Sequence, residues 1–129
     1  MNIDFHHIGY VVDDIQTFAS FFPNISHVKT VYDPLQIANI SLFKNNSNHS
    51  CYLEFIEPSS TNSFTWEHLK KFGPSIHHLC YGPVEKANLD LIIPEKKLFL
   101  LRGPIYAELF KRDVVFYMTR KKALLEFIL

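Results

Sequence analysis

The sequence carries one pattern twice. His6-His7-Ile8-Gly9-Tyr10 returns as His77-His78-Leu79-Cys80-Tyr81, and Leu53-Glu54-Phe55-Ile56 returns as Leu125-Glu126-Phe127-Ile128, at an offset of 71 to 72 residues. Two copies are too few for a solenoid, which needs about three or more repeats to bury its faces. They point to two modules related by an internal pseudo-two-fold axis. Each copy offers one imidazole and one carboxylate, so such an axis brings two His and two Glu towards one point, and that is a metal-ligand set. The ordinary alternatives are a satisfied histidine at a strand end and a glutamate on the wet face of an edge strand. Both lose ground here because Glu54 and Glu126 sit inside the apolar runs Cys51 to Ile56 and Ala123 to Leu129. A buried, unpaired carboxylate costs several kcal/mol or shifts its pKa. A cation nearby removes the conflict.

A chain of 129 residues is expected to form one domain with a real core. Thirteen basic and thirteen acidic residues cancel, which gives no overall field to collect nucleic acid or an anionic membrane. Cys51 and Cys80 lie in apolar runs without Cys-x-x-Cys spacing, which argues against a disulfide framework and a thiolate zinc site. The first residues have no basic segment followed by an apolar one, and no apolar run approaches the roughly 18 residues of a membrane span. A cytoplasmic protein is expected. Twelve Phe and six Tyr suit large packed sheet faces or a hydrophobic cavity.

Along the chain, Phe5 to Val12 reads as a strand whose period of two sets His6 and His7 on opposite faces. Asp13 and Asp14 give a cap for a helix over Ile15 to Phe22, stopped by Pro23-Asn24. Strands over Ser26 to Tyr32 and Ile37 to Lys44 flank Asp33-Pro34. A polar turn over Asn45 to Ser50, with His49 on the surface, leads to a strand over Cys51 to Ile56. The first module is thus 3–58. Segment 59–74 connects the copies through a helix over Phe64 to Phe72, ended by Gly73-Pro74. In the second module, 75–129, strands are expected over Ile76 to Tyr81, Lys96 to Leu101, Val114 to Met118 and Leu124 to Leu129. A helix is expected over Val84 to Leu91, turns at Arg102-Gly103-Pro104 and Thr119 to Lys122, and Ala107 to Asp113 is left unassigned. Each module reads β-α-β-β-β, with His opening its first strand and Glu in its last.

These motifs, in this order and at these separations, resemble the vicinal oxygen chelate superfamily, and within it the methylmalonyl-CoA epimerase and glyoxalase branch. The residues that carry the resemblance are His6 to Ile15, Tyr52 to Pro58, Lys71 to Tyr81 and Leu124 to Ile128. It implies an α+β fold in which two paired β-α-β-β-β modules form a mixed-sheet cup around one divalent cation (Co, Ni, Mn, Zn or Mg). Position by position, it implies the ligands His7, Glu54, His78 and Glu126, the four that the duplication also singles out. His6 and His77 are expected to point to the other face, as structural groups or partners of the ligands. Two imidazoles with two carboxylates suit an octahedral first-row ion better than a closed structural zinc.

The chemistry implied is chelation of two neighbouring substrate oxygens, stabilisation of an enolate-like oxyanion, and proton transfer by a carboxylate. Glu126 is the catalytic carboxylate on the metal side. In the epimerase a second glutamate on the third strand faces it, and the alignment sets Leu35 at that position, within Asp33-Pro34-Leu35-Gln36. Asp33 is then the candidate replacement base, with Glu57 nearby. Three functions follow: a metal-dependent epimerase or isomerase on an acyl-CoA or related dicarbonyl, a glyoxalase-type lyase on a thiol adduct, and a non-catalytic small-molecule binder. Arg102, Lys111, Arg112, Arg120 and Lys121 are candidates to meet a phosphate-bearing tail, or form a solvated rim. The expected partners are a small-molecule substrate and a second copy of the chain in a homodimer that covers an open sheet edge.

Overall fold

The computed structural model describes residues 3–47 and 51–129. The first module comprises β1 (Phe5–Val11), α1 (Ile15–Ala19), β2 (Ile25–Asp33), β3 (Ala38–Asn45) and β4 (Tyr52–Pro58), and α2 (Trp66–Phe72) links it to the second. The second comprises β5 (Ser75–Tyr81), α3 (Lys86–Lys96), β6 (Phe99–Ala107), β7 (Arg112–Met118) and β8 (Leu124–Ile128). All eight strands form one sheet in the order β2-β3-β4-β1-β5-β8-β7-β6. In each module the first strand pairs in parallel with the last, and β1 meets β5 antiparallel in the middle. The order is therefore symmetric about the β1–β5 junction, as a duplicated sequence requires. The fold is α+β, a mixed sheet curled into a half-barrel.

The inner wall is apolar away from the centre. Ala38, Ile40 and Leu42 of β3 pack with Val11, Ile56 and Leu109 in one half, and Cys80, Ala107, Val114, Phe116 and Ile128 pack together in the other. Among the described residues no helix is long and apolar enough to cross a membrane.

Three local expectations are corrected. Arg102-Gly103-Pro104 is not a turn, because β6 runs through it. The ladder to β7 shifts register on either side of Arg102, and Gly103 adopts φ +104 where a Cβ would meet the Val114 carbonyl at 2.8 Å. An edge strand has no outer partner to lose, so it absorbs a Gly-Pro bulge. The helix expected to end at Leu91 continues to Lys96, with Pro94 inside its last turn, and closes on Lys97 in the left-handed region. Lys96 is thus helical rather than the start of a strand. Conversely α1 stops at Ala19, and single turns with bonds from Phe21 N to the Phe18 carbonyl and Phe22 N to the Ala19 carbonyl complete that segment. The turn expected over 45–50 is described only to Ser47, and His49 lies outside the described residues.

The hairpin ends β2–β3 and β6–β7 are tied together by Asp33, which is 1% exposed. Its carboxylate accepts from the backbone of Leu35 and Gln36 and the Gln36 amide, and across the fold from the backbone of Glu108 at 3.3 Å. Hydrogen bonds to a charged acceptor contribute about 1.5–3 kcal/mol each, and donors left buried without a partner cost more. Asp33→Ala is expected to lower the unfolding free energy by roughly 3 kcal/mol, read from the urea midpoint at unchanged m-value.

Candidate metal centre

The four central strands each contribute one polar side chain to a common point: His7 from β1, Glu54 from β4, His78 from β5 and Glu126 from β8. All four are 0 to 3% exposed. The Nε2 atoms of His7 and His78 lie 3.1 Å apart. Glu54 Oε1 is 3.4 Å from His7 Nε2 and 3.3 Å from His78 Nε2. Glu126 Oε1 is 3.2 Å and 3.1 Å from the same two atoms. Despite these short distances, buried Glu126 Oε1 receives no well-aligned hydrogen bond among the described residues. Four electron-pair donors crowded together in a buried space fit a cation. Ligand atoms about 2.1 Å from a first-row ion stand about 3.0 Å apart in octahedral and about 3.4 Å apart in tetrahedral geometry, which brackets the separations seen.

Without a cation, protons supply the positive charge. Burial pulls the His78 imidazolium down, but the charges of Glu126 and Glu54 close to its ring overcome it and push its pKa up to about 10. His7 is raised in the same way, against its burial, by Glu54 and Glu126. Burial would raise both carboxyls. The His7 imidazolium outweighs it at Glu54, which is held at about 2, and the His78 imidazolium outweighs it at Glu126, which stays well below the usual carboxylate range.

Two small residues that carry no charge shape the centre, and neither is a sequence-predicted site residue. Gly9 lies between Glu54 on β4 and His78 on β5, and a Cβ there would sit 2.1 Å from His78 Cε1. Its counterpart Cys80 lies between His7 and Glu126. Burial, then the Glu126 and Glu54 charges, push the Cys80 thiol far up, so it stays neutral. The signal for both is positional, since each follows a ligand His by two residues and so shares its face. Aromatic rings dry the centre: Phe110 stacks on His7 at 5.6 Å and Phe116 meets His78 edge-on at 5.5 Å.

His6 and His77 do not simply face away. In the β1–β5 ladder Phe5 pairs with Tyr81 and His7 with Cys80, and Gly9 pairs with His78 and Tyr10 with Ile76. His6 and His77 are therefore the extra residues of two bulges, and alternation fails at both. Their Nδ1 atoms lie 2.8 Å and 2.9 Å from Nδ1 of His7 and His78. Burial, then the neighbouring His7, lowers His6 to about 4, and burial, then His78, lowers His77 to about 3.

The remaining predicted residues lie elsewhere. Asp33 is outside the four-residue group, its carboxylate engaged in the turn. Leu35 is in that turn and 50% exposed, not on the third strand. The inward positions of β3 are Ala38, Ile40 and Leu42, all buried. Glu57 accepts from Ile15 N at 2.9 Å at the start of α1. Arg102 lies over the Phe64 ring and donates to the Leu35 carbonyl, Lys111 pairs with Glu108, and Arg112 donates to the Leu129 carbonyl. Arg120 and Lys121 are exposed in the β7–β8 turn. A cavity of about 570 Å³ opens beside His77, with Phe64, His68, Ile76, Lys122 and Leu124 in its walls.

The family model described as the glyoxalase/bleomycin resistance protein/dioxygenase superfamily matches residues 6–91. Comparison with curated proteins gives no significant match. Among solved structures, the chain is similar to a hypothetical protein from Bacillus halodurans C-125, at TM-score 0.83 and 20% identity over 99% of this chain and 94% of that one. It is similar to Streptomyces coelicolor methylmalonyl-CoA epimerase in complex with 2-nitronate-propionyl-CoA, at TM-score 0.81 and 20% identity over 96% and 94%. The Mycobacterium tuberculosis methylmalonyl-CoA epimerase gives TM-score 0.81 and 15% identity over 96% and 85%. At these identities the likeness is one of fold.

Two outcomes test the centre. Gly9→Ala drives a methyl group into the His78 ring, so zinc affinity, measured by competition with a chromogenic chelator, should fall at least about tenfold. The second concerns pH. His78, raised from 6.5 to about 10, contributes stability to the metal-free protein that is complete below pH 6.5 and lost as pH rises towards 10. His6 and His77, lowered from 6.5 to about 4 and about 3, contribute stability present above pH 6.5 and lost as pH falls through those values. Thermal unfolding of the metal-free protein should therefore peak near pH 6.5. Saturating zinc, which needs neutral imidazoles, should raise Tm more at pH 8 than at pH 6.

Proposed function

Because the chain belongs to the glyoxalase/bleomycin resistance protein/dioxygenase superfamily, we propose that it is a metal-dependent enzyme acting on a small molecule that presents two neighbouring oxygens. The observation that carries this reading is the convergence of four buried donor atoms, among them a Glu126 oxygen that no hydrogen bond among the described residues satisfies. His7, Glu54, His78 and Glu126 hold the cation. When bound it supplies Lewis-acid stabilisation of an enolate-like oxyanion. Glu126 is the carboxylate we assign to proton transfer, and Glu54 serves as ligand. The cavity beside His77 receives the rest of the substrate; its size and apolar walls suit such a ligand. Acyl-CoA thioesters are the first class to try, since a similar epimerase structure holds methylmalonyl-CoA.

Within that reading, proton movement on one face of the substrate is favoured over inversion of a stereocentre. Inversion takes a proton from one face and returns it on the other, which calls for a second group opposite Glu126. The inner face of β3, separated from β8 by β4, β1 and β5, offers Ala38, Ile40 and Leu42, and Asp33 is committed to its turn. This favours an isomerase or a glyoxalase-type lyase. A homodimer accords with the apolar side chains on both sheet edges, Val28 and Tyr32 of β2 and Phe99, Leu100 and Leu101 of β6.

The test is solvent exchange in deuterated water with metal-loaded protein, using methylmalonyl-CoA and the hemithioacetal of methylglyoxal and glutathione. Exchange or turnover is expected with one of them, and Glu126→Gln should slow it by about a hundred- to ten-thousand-fold. Inversion of methylmalonyl-CoA by the unmodified protein would overturn the one-face reading. A protein that binds no divalent ion would overturn the metal reading.

A further inference from the structure

We infer that His6 and His77 are positioning residues, each accepting a hydrogen bond that holds the neighbouring His7 or His78 in its Nδ1–H form, so that both Nε2 atoms face the metal. This rests on the metal-dependent reading above. The backbone observation is the pair of bulges: His6 in β1 and His77 in β5 are each the unmatched residue of the β1–β5 ladder, one on either side of the pseudo-two-fold axis. Bulges re-aim side chains, and they are enriched beside functional sites. Here each one turns an imidazole that regular alternation would point away until its Nδ1 lies 2.8 Å or 2.9 Å from Nδ1 of the next residue.

The proton assignment follows from counting. A neutral imidazole has one N–H and one lone pair. His7 Nε2 and His78 Nε2 face each other and two carboxylate oxygens, so with a cation present both must offer lone pairs there. The proton of each ring then sits on Nδ1 and is donated. His6 and His77 must receive it through unprotonated Nδ1 atoms and carry their own protons on Nε2. Their surroundings suit neutral rings: His6 stacks on Tyr52 at 5.0 Å with Phe110 edge-on at 5.2 Å, and His77 meets Phe64 and His68 edge-on.

Metal-bound histidines more often donate to a carboxylate, a backbone carbonyl or water. A neutral acceptor has a particular use in this chain. Glu54 and Glu126 already balance a dication, and a further carboxylate against either ligand would leave the buried centre with net negative charge. An imidazole fixes the ligand tautomer without adding charge. His77 also lines the cavity of about 570 Å³, so a substrate seated there touches the ring that holds His78.

The experiment has two arms. In the zinc-loaded, nitrogen-15-labelled protein, long-range proton–nitrogen correlation should show His7 and His78 protonated on Nδ1 and His6 and His77 on Nε2. Zinc affinity should fall about ten- to a hundred-fold in His77→Leu and His6→Leu. In His77→Asn and His6→Asn, whose amide oxygen accepts near the former Nδ1, it should stay within about threefold of the unmodified protein. Equal loss in the Leu and Asn variants, no loss in either, or His7 and His78 protonated on Nε2 would each overturn the inference while leaving the metal in place. Failure of the unmodified protein to bind zinc would overturn the metal reading and the inference together.

Discussion

Two imidazole nitrogens 3.1 Å apart, each 3.1 to 3.4 Å from two carboxylate oxygens, need positive charge among them in a space closed to water. Two ionised carboxylates alone would incur the full cost of burial. In the metal-free chain the imidazoles take up protons to meet that need, and a dication meets it without protonating the ligands. The sheet topology serves the same end. Parallel pairing of the first and last strand in each module sets a His strand beside a Glu strand, and the antiparallel β1–β5 junction brings the two pairs together. Removing any one of the four central strands would break the set, which is why the centre cannot form within a single module.

The duplication made much of this legible before any coordinates. The repeated His and Glu mark the strands that lie at the centre of the sheet, and their positions inside apolar runs imply burial that needs compensation. What the sequence hid is non-local. Alternation along β1 assumes an unbroken ladder, but whether His6 is matched depends on the residue opposite it on β5, some seventy positions away. Gly103-Pro104 has the composition of a turn and becomes part of an edge strand because β7 pairs with the residues on both sides of it. Leu35 seemed to belong to a strand because the aligned pattern surrounds it; Asp33 draws the backbone of residues 35 and 36 into a turn instead.

The two modules are not equivalent around the candidate metal centre, and the differences have physical consequences. Gly9 leaves room for the His78 ring to lie across β1, whereas Cys80 fills the corresponding place beside His7. Phe110 covers the His7 face. On the other side His77 is part of a cavity wall. The symmetric set of donors therefore sits in an asymmetric surround.

In the proposed reaction the surround matters most for where protons can go. Of the inward-facing positions on the strands that flank the centre, β3 contributes Ala38, Ile40 and Leu42 and β7 contributes Val114 and Phe116, so both walls are apolar. Apolar walls exclude water, which strengthens the electrostatic hold on a developing oxyanion and slows loss of a proton to solvent. They also leave the departing proton few places to rest other than the carboxylate that received it. This is why the proposed reaction is removal and return of a proton by one group, at one carbon or at its neighbour. A carboxylate introduced at Ile40 would lie in a dry wall without a partner, so it would take up a proton and serve as an acid before it could serve as a base.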